Sequence, residues 1–533
     1  MVSYGGGVIE VNKLEDAIIS LLGSHEEMDE GQYPKSISSF TVPRERFIDA
    51  ARALKKADAR LVAEWATDER NFGKGFGIYT CYNKDAEYLI VRTYAPLEDP
   101  SFPSLTKKFV SAWRFERQMK SLMGVVPVGH PDQRPWIKHE DWPEDANPLR
   151  KDFDPSYSMP RVEGEYQWIR AEGEGVHEIA VGPIHAGIIE PGHFRIQAVG
   201  EDVLNLEERL GYVHKGIEKR FEALSWEEGA RLAGRVSGDT TVAHALGYCR
   251  AIEAMTGFNP PERGLWLRAL MLERERISNH LGDIGGISND ASFAFLFYQF
   301  MRLREDFLRT NYKLFGHRLM MDRVVLGGVS VNINADGING IFTEMDRLEN
   351  EFERLVIIYD ESPSLEDRVR DAGILKPEMA KDLGVVGFVA RASGQRLDCR
   401  IQSPFPPYDR IPPEMAVLNS GDVHARAWVR IEEIRNSVKL IREMLRTLPS
   451  GEVNSGFKTP APDMSGFSVV EGWRGEIVYW VQSGPKGEIN RCMVRDPSSV
   501  CWIAVEQAIH GNIVPDFPLC NKSFNQSYSG HDL

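Results

Sequence analysis

Two histidines, a glutamate and an arginine fall within one short run, Gly182-Pro183-Ile184-His185 continuing to Glu190-Pro191-Gly192-His193-Phe194-Arg195. A carboxylate beside imidazoles can pass a proton between neighbours once desolvation shifts their affinities, so this density suits proton handling. Glycine, proline and buried polar groups also make ordinary hairpins, and the residues alone leave both readings open. A second polar run, Arg235-Val236-Ser237-Gly238-Asp239-Thr240, leads into Thr241-Val242-Ala243-His244, where Asp239 or Ser237 can cap a helix.

Other chemistries are set aside by what the chain lacks. The six cysteines stand at 81, 249, 399, 492, 501 and 520, no two of them separated by just two residues. They read as reduced thiols rather than a zinc, cluster or disulfide frame, and no metal ligand set is predicted. A net charge of −15 repels phosphate backbones and anionic lipid, so nucleic acid is not an expected partner. No strand-Gly-x-Gly-x-x-Gly-helix fingerprint occurs, so any NADH dependence would come from another subunit.

The elements that must position these groups divide at the middle of the chain. At 533 residues, with 42% hydrophobic and 26% charged, the chain predicts two or three folded domains. Residues 1–126 read as a small α+β domain: GIYTCY and EYLIVRTYA form a hairpin turned at Asn83-Lys84-Asp85, and Ala112, Phe115, Met119 and Leu122 stripe a helix stopped by Gly124. Residues 127–170, rich in Pro, Asp and Trp and including Trp142-Pro143-Glu144-Asp145, read as a strap with no hydrophobic period. Residues 171–533 read as a mainly helical domain with small β-sheets. A strand pair joined at Gly200 opens it, and helices follow on the stripe Val242, Ala245, Leu246, Cys249, Ile252, from Pro261 onward, and near 295–316, 341–359 and 424–447.

The N-terminal stretch has neither a basic start with an apolar core nor a small-residue cleavage site, so the expectation is cytoplasmic synthesis without export. The densest apolar stretch, from Phe293 to Met301, falls far short of the about 20 residues that cross a bilayer, so membrane association would run through partners.

The strings GPIHAGIIEPGHFRI, LGYVHKGIEKRFE and RVSGDTTVAHALGYCRAIE, in that order, closely resemble the large subunit of group 4 membrane-bound nickel-iron hydrogenases, and more distantly the 49-kDa subunit of complex I. LERERISNHLGDIG, RASGQRLDCR and EGWRGEIVYWVQSGPKGEINRCMVRDPS extend the likeness downstream. SAWRFERQMKSLMGV and HEDWPEDANPLRKDF resemble the 30-kDa complex I subunit that is often fused to it. The resemblance implies an α+β domain followed by a helical hydrogenase-large-subunit-like domain.

It also exposes departures. Where hydrogenases read Arg-x-Cys-Gly-x-Cys, this chain has Ser237 and Thr240; where the second cysteine pair falls, it has Ser527 and Gly530. Soft thiolates hold nickel and iron there, and oxygen ligands do not replace them, so loss of the metal centre and of hydrogenase activity is expected. Glu190 falls where the family places a proton-relay glutamate, and Arg235, His193 and His244 keep their motif positions. In complex I the corresponding cavity takes quinone through a tyrosine and a histidine. Here the tyrosine position falls on Gly238 and the histidine position near Pro191, so those ligands are not carried over cleanly.

The resemblance therefore implies a subunit of the energy-converting hydrogenase-related type, on the cytoplasmic side of a membrane complex. Iron–sulfur clusters would reside in partners: an iron–sulfur small subunit, a ferredoxin-like subunit and antiporter-like membrane subunits. The expected cavity lies among Glu190, His193, Ser237, Asp239, Thr240 and His244, with Glu190 relaying protons and quinone a possible occupant. The alternatives are a quinone-reducing subunit of an NADH dehydrogenase-like complex and a non-catalytic scaffold linking the redox and membrane arms. Lys215-Gly216-Ile217-Glu218-Lys219 reads as an exposed charged helix start, or as a contact for the electron-delivering subunit.

Overall fold

The computed structural model describes residues 13–22, 37–140, 142–156, 158–186 and 189–533. Strands Ser38–Thr41, Arg60–Asp68, Phe76–Lys84 and Glu87–Ala95 form one sheet. The first runs parallel to the last, and the other pairings are antiparallel. The hairpin holds its ladder through Lys84 opposite Glu87, so the turn sits at Asp85-Ala86, one residue later than the sequence suggests. Asp85 takes the left-handed φ of 52° that a short polar side chain tolerates. Helix Ala112–Met123 ends at Gly124 with φ 69°, where a β-carbon would be strained.

Both faces of this sheet are buried, which accounts for its near-continuous apolar strands. One face packs on helices Phe47–Lys56 and Ala112–Met123. The other carries Val62, Trp65, Tyr79 and Ile90 onto Phe467, Val478, Trp480 and Met493 of the antiparallel sheet Ser465–Glu471, Glu476–Ser483 and Ile489–Arg495. Between strand Val126–Val128 and strand Val176–Val181 no helix or strand intervenes among the described residues. Arginines tie this strap down: Arg117 Nε donates to the Arg134 carbonyl at 2.9 Å, and Arg209 Nη2 to Glu140 at 2.9 Å.

The rest is mainly helical. Val176–Val181, His193–Val199 and Asp202–Arg209 form a three-stranded antiparallel sheet, followed by helices Thr241–Thr256, Glu262–Asp290, Ala294–Phe315, Ala335–Asp360 and Val423–Arg446. No helix among the described residues is long and apolar enough to cross a membrane.

Helix Thr241–Thr256 starts differently from expectation. Thr240 is its N-cap residue, and neither Ser237 nor Asp239 turns back to cap it. Both are engaged elsewhere, and the free N–H groups of Val242 and Ala243 instead donate to the Glu275 carboxylate at 2.7 and 3.1 Å. A carboxyl group from a neighbouring helix thus accepts N–H groups that the start of this helix leaves without an intrahelical partner.

Candidate functional site

The two loops that the sequence singles out meet. Residues 235–240 precede helix Thr241–Thr256, and residues 525–527 precede the short closing helix Tyr528–Asp532, whose N-cap Ser527 accepts the Gly530 N–H at 2.9 Å. The hydroxyls of Ser237 and Ser527 lie 2.9 Å apart across 290 residues of chain. Ser237 Oγ also donates to Asp239 Oδ1 at 2.9 Å, and Ser527 Oγ approaches Ser529 Oγ at 3.4 Å. The backbone N–H of Ser529 donates to Glu190 Oε2 at 3.0 Å.

Arg474 clasps both loops. Its Nη1 and Nη2 hold Asp239 at 2.7 and 2.8 Å, Nη1 also reaches Thr240 Oγ1 at 3.2 Å, and Nε donates to the Asn525 carbonyl at 2.7 Å. Burial works to raise the Asp239 carboxyl, but the guanidinium and two neighbouring hydroxyls outweigh it and hold the group well below the usual carboxylate range. Lys215 makes a second tie, its Nζ donating to the Val236 carbonyl at 3.0 Å and the Ser529 carbonyl at 3.1 Å.

In front of these loops opens a cavity of about 640 Å³. Glu190, Ser237, Gly238, Asp239, Ser527 and Ser529 form one wall, and Phe194, Ile196, Val514 and Phe517 form an apolar one. Gly238 faces open space, with nothing within 4 Å of where a β-carbon would stand.

Several expected members lie elsewhere. His193 turns away from the cavity: Nδ1 meets the Gly182 carbonyl at 3.1 Å, its ring lies 4.9 Å from that of Trp168, and burial holds its affinity for a proton below the ordinary value. His185 from the same run lines the cavity instead. Arg235 points to the surface, paired with Asp322. Thr240 is buried behind the wall, accepting from Trp473 Nε1 at 3.0 Å.

His244 is also behind it, fully buried, with Nε2 2.9 Å from Asp496 Oδ2 and Nδ1 3.0 Å from the Tyr479 hydroxyl. Gly530 sits against the same Asp496, whose carboxyl carbon would be 2.7 Å from an added β-carbon. The Lys215–Lys219 stretch is not an exposed helix start. Glu218 is buried, bonded to Arg491 at 3.0 Å, and Lys215 is drawn in by the two loops.

Arg474 and Glu275 were not singled out by the sequence, and Lys215 was singled out only as part of a charged helix start. Arg474 lies inside the EGWRGE block, and an arginine beside a tryptophan was the signal available there.

The fold is a small α+β domain packed on a helical domain in which two loops far apart in sequence line one cavity. The family model for the 49 Kd subunit of respiratory-chain NADH dehydrogenase matches residues 290–463, and that for its 30 Kd subunit matches 40–158. Formate hydrogenlyase subunit 5 of Escherichia coli is 31% identical over 477 residues, 88% of this chain and 84% of that one. An NADH-quinone oxidoreductase subunit from Bacteroides fragilis is 30% identical over 72% of this chain and 76% of its own length. A chain of the membrane-bound sulfane sulfur reductase, an archaeal respiratory membrane complex, shares the fold with a TM-score of 0.64 at 24% identity, over 68% of this chain and all of that one. The protein belongs to the family of complex I 49-kDa and membrane-bound hydrogenase large subunits, in the form fused to a 30-kDa-like domain.

Proposed function

We propose that this chain is the cavity-bearing large subunit of a complex-I-like, hydrogenase-related oxidoreductase that works without a nickel-iron centre. The observation that carries the reading is the 2.9 Å contact between Ser237 and Ser527 hydroxyls, placed where the family's chains bring thiolates together. Hydroxyls at Ser237, Thr240 and Ser527, and no side chain at Gly530, are hard or absent donors that do not fit a soft-ligand metal pair. The six cysteines are all buried, and none is among the residues lining the cavity.

The chain's own residues offer proton handling in place of metal chemistry. Glu190 stands at the cavity wall as the proton-carrying carboxylate, while Asp239 is held ionised by Arg474. Between them the hydroxyls of Ser237, Ser527 and Ser529 both donate and accept, so a proton arriving at either end meets groups able to reorient. His244 acts through Asp496 as a positioning group behind the wall. Electrons reach the cavity from clusters held by an iron–sulfur small subunit fed by a ferredoxin-like subunit. Antiporter-like membrane subunits couple the reaction to ion movement on the cytoplasmic face.

The apolar wall favours a second reading, reduction of a quinone. Protection of the cavity by a quinone analogue separates the two.

Purified complex is expected to lack stoichiometric nickel and to evolve no H2; nickel at one per large subunit with H2 production would sink the proposal. Glu190→Gln is expected to lower turnover about a hundredfold to ten-thousandfold, the range of lost general acid–base catalysis. If Glu190→Gln and His244→Ala both left turnover and ion pumping intact, the scaffold reading would replace this one.

A further inference from the structure

Four carboxylates, Glu190, Asp239, Asp283 and Asp290, and three cations, Arg304, Arg474 and Lys522, line the cavity, and the way they pair leaves two of the cations without an ion-pair partner among the described residues. Three of the wall carboxylates have a counter-charge other than Arg304 and Lys522. Asp239 is bonded to Arg474, Asp283 to Arg430 at 3.0 Å, and Glu190 lies in the field of Lys215. Asp290 faces Lys522, while burial pushes its carboxyl up toward the neutral form.

Arg304 remains over. Its Nε donates to the Ser278 carbonyl at 3.0 Å, and no carboxylate among the described residues lies within ion-pair distance of its guanidinium, Asp283 and Asp239 acting on it only from farther away. Lys522 likewise makes no ion pair within that distance among the described residues.

Both cations are brought to the cavity by the same device. Helix Glu262–Asp290 presents Gly282 and Gly286 one turn apart, and the two long side chains cross its bare backbone there. A β-carbon at Gly282 would stand 3.1 Å from Arg304 Cδ and Nε, and one at Gly286 would stand 2.2 Å from Lys522 Cε. Glycine inside a helix costs roughly 1 kcal/mol against alanine. Here its effect is to seat a guanidinium fork beside an ammonium, facing a space that also has an apolar wall.

We propose that the cavity binds an anionic organic ligand, its carboxylate or similar two-oxygen headgroup held between Arg304 and Lys522 and its apolar body laid toward Phe194 and Phe517. The planar fork of Arg304 suits two-point recognition of such a headgroup, and the partly desolvated setting strengthens it. This deepens the reading of the cavity as a ligand site and rests on it.

The test compares benzoate with benzamide, which share a shape and differ in charge, by calorimetric titration into the purified full-length chain in its complex. Benzoate is expected to bind at least about tenfold more tightly than benzamide. Arg304→Gln or Lys522→Gln is expected to weaken benzoate by about tenfold to a hundredfold, the range for hydrogen bonds to charged groups, while leaving benzamide unchanged. Gly286→Ala keeps every charge and displaces only the lysine, and is expected to weaken benzoate in the same selective way.

Equal binding of the two probes, or benzoate binding indifferent to all three variants, overturns the anion inference and leaves the cavity reading standing. Binding of neither probe overturns both. If Arg304→Gln fails to fold, Gly286→Ala and Arg304→Lys decide. Retained preference for benzoate in Arg304→Lys, together with its loss in Gly286→Ala, is the supporting outcome, and the reverse pattern overturns it.

Discussion

Gly530 shows at the scale of one residue how tightly the closing helix packs behind the cavity wall. A side chain there would meet the Asp496 carboxyl group within 2.9 Å, and that carboxylate is fixed by His244 Nε2 and by the N–H of Ser498 at 2.7 Å. Burial works against the charged form of Asp496, yet the histidine and its neighbours hold the group below the ordinary carboxylate range, so it stays an anion. Gly530→Ala is therefore expected to cost about 1–3 kcal/mol, the usual scale of overpacking, read as a lowered denaturant midpoint. Gly238→Ala, which opens into empty space, is the control expected to be close to neutral. If the two substitutions cost the same, Asp496 does not fill the position. The sequence exposed Ser237, Gly238, Asp239, Ser527 and Glu190 as wall residues because motif position carries that information. It misplaced His193, His244 and Arg235, because a side chain's direction depends on what packs around it.

At the scale of elements, the helix that follows the first loop depends on its neighbour. Glu275 caps Thr241–Thr256 from helix Glu262–Asp290, and burial raises its carboxyl to about 8 despite the two N–H groups that oppose the shift. A folded-state value above the ordinary 4.5 means that the contribution is fully present below about pH 4.5 and is lost as pH rises through 8. Glu116, raised to about 7, and Glu208, raised to about 8, act in the same direction, both through burial first. Stability is expected to fall between pH 5 and 8. Glu275→Gln should remove about one proton from that slope, close to 1.4 kcal/mol per pH unit. Denaturant midpoints at pH 5.5, 6.5 and 7.5 for the two proteins check it, and parallel curves would refute the assignment. Helical periodicity located both helices to within a few residues. It could not identify the cap, since the local candidates Ser237 and Asp239 were engaged by residues hundreds of positions away.

For the whole molecule, the two domains are joined by a buried sheet-on-sheet face rather than by the strap alone. Trp65, Tyr79 and Trp480 stack with ring centroids 5.0 to 5.5 Å apart, and Glu476 gathers Arg60, Arg495 and the Tyr88 hydroxyl beneath them. Burial opposes the Glu476 charge, but the two arginines prevail and keep it ionised. Removing one member of such a buried cluster strands the others. Glu476→Gln is expected to cost about 3–5 kcal/mol, with both domains melting together in calorimetry. A separate early transition of the N-terminal domain would show that this face does not couple them.

The sequence by itself determined the order of elements, the pairing of a sheet-rich first domain with a helical second, and the presence of Ser237, Thr240, Ser527 and Gly530 in the two loops. These are properties of neighbours along the chain: period, turn residues and side-chain chemistry. Only the tertiary structure decided that Ser237 meets Ser527, that Arg474 clasps both loops, and that two glycines seat Arg304 and Lys522 at the cavity. Those outcomes depend on which buried charges neutralise one another across hundreds of residues, and folding settles that through desolvation and packing rather than through local order.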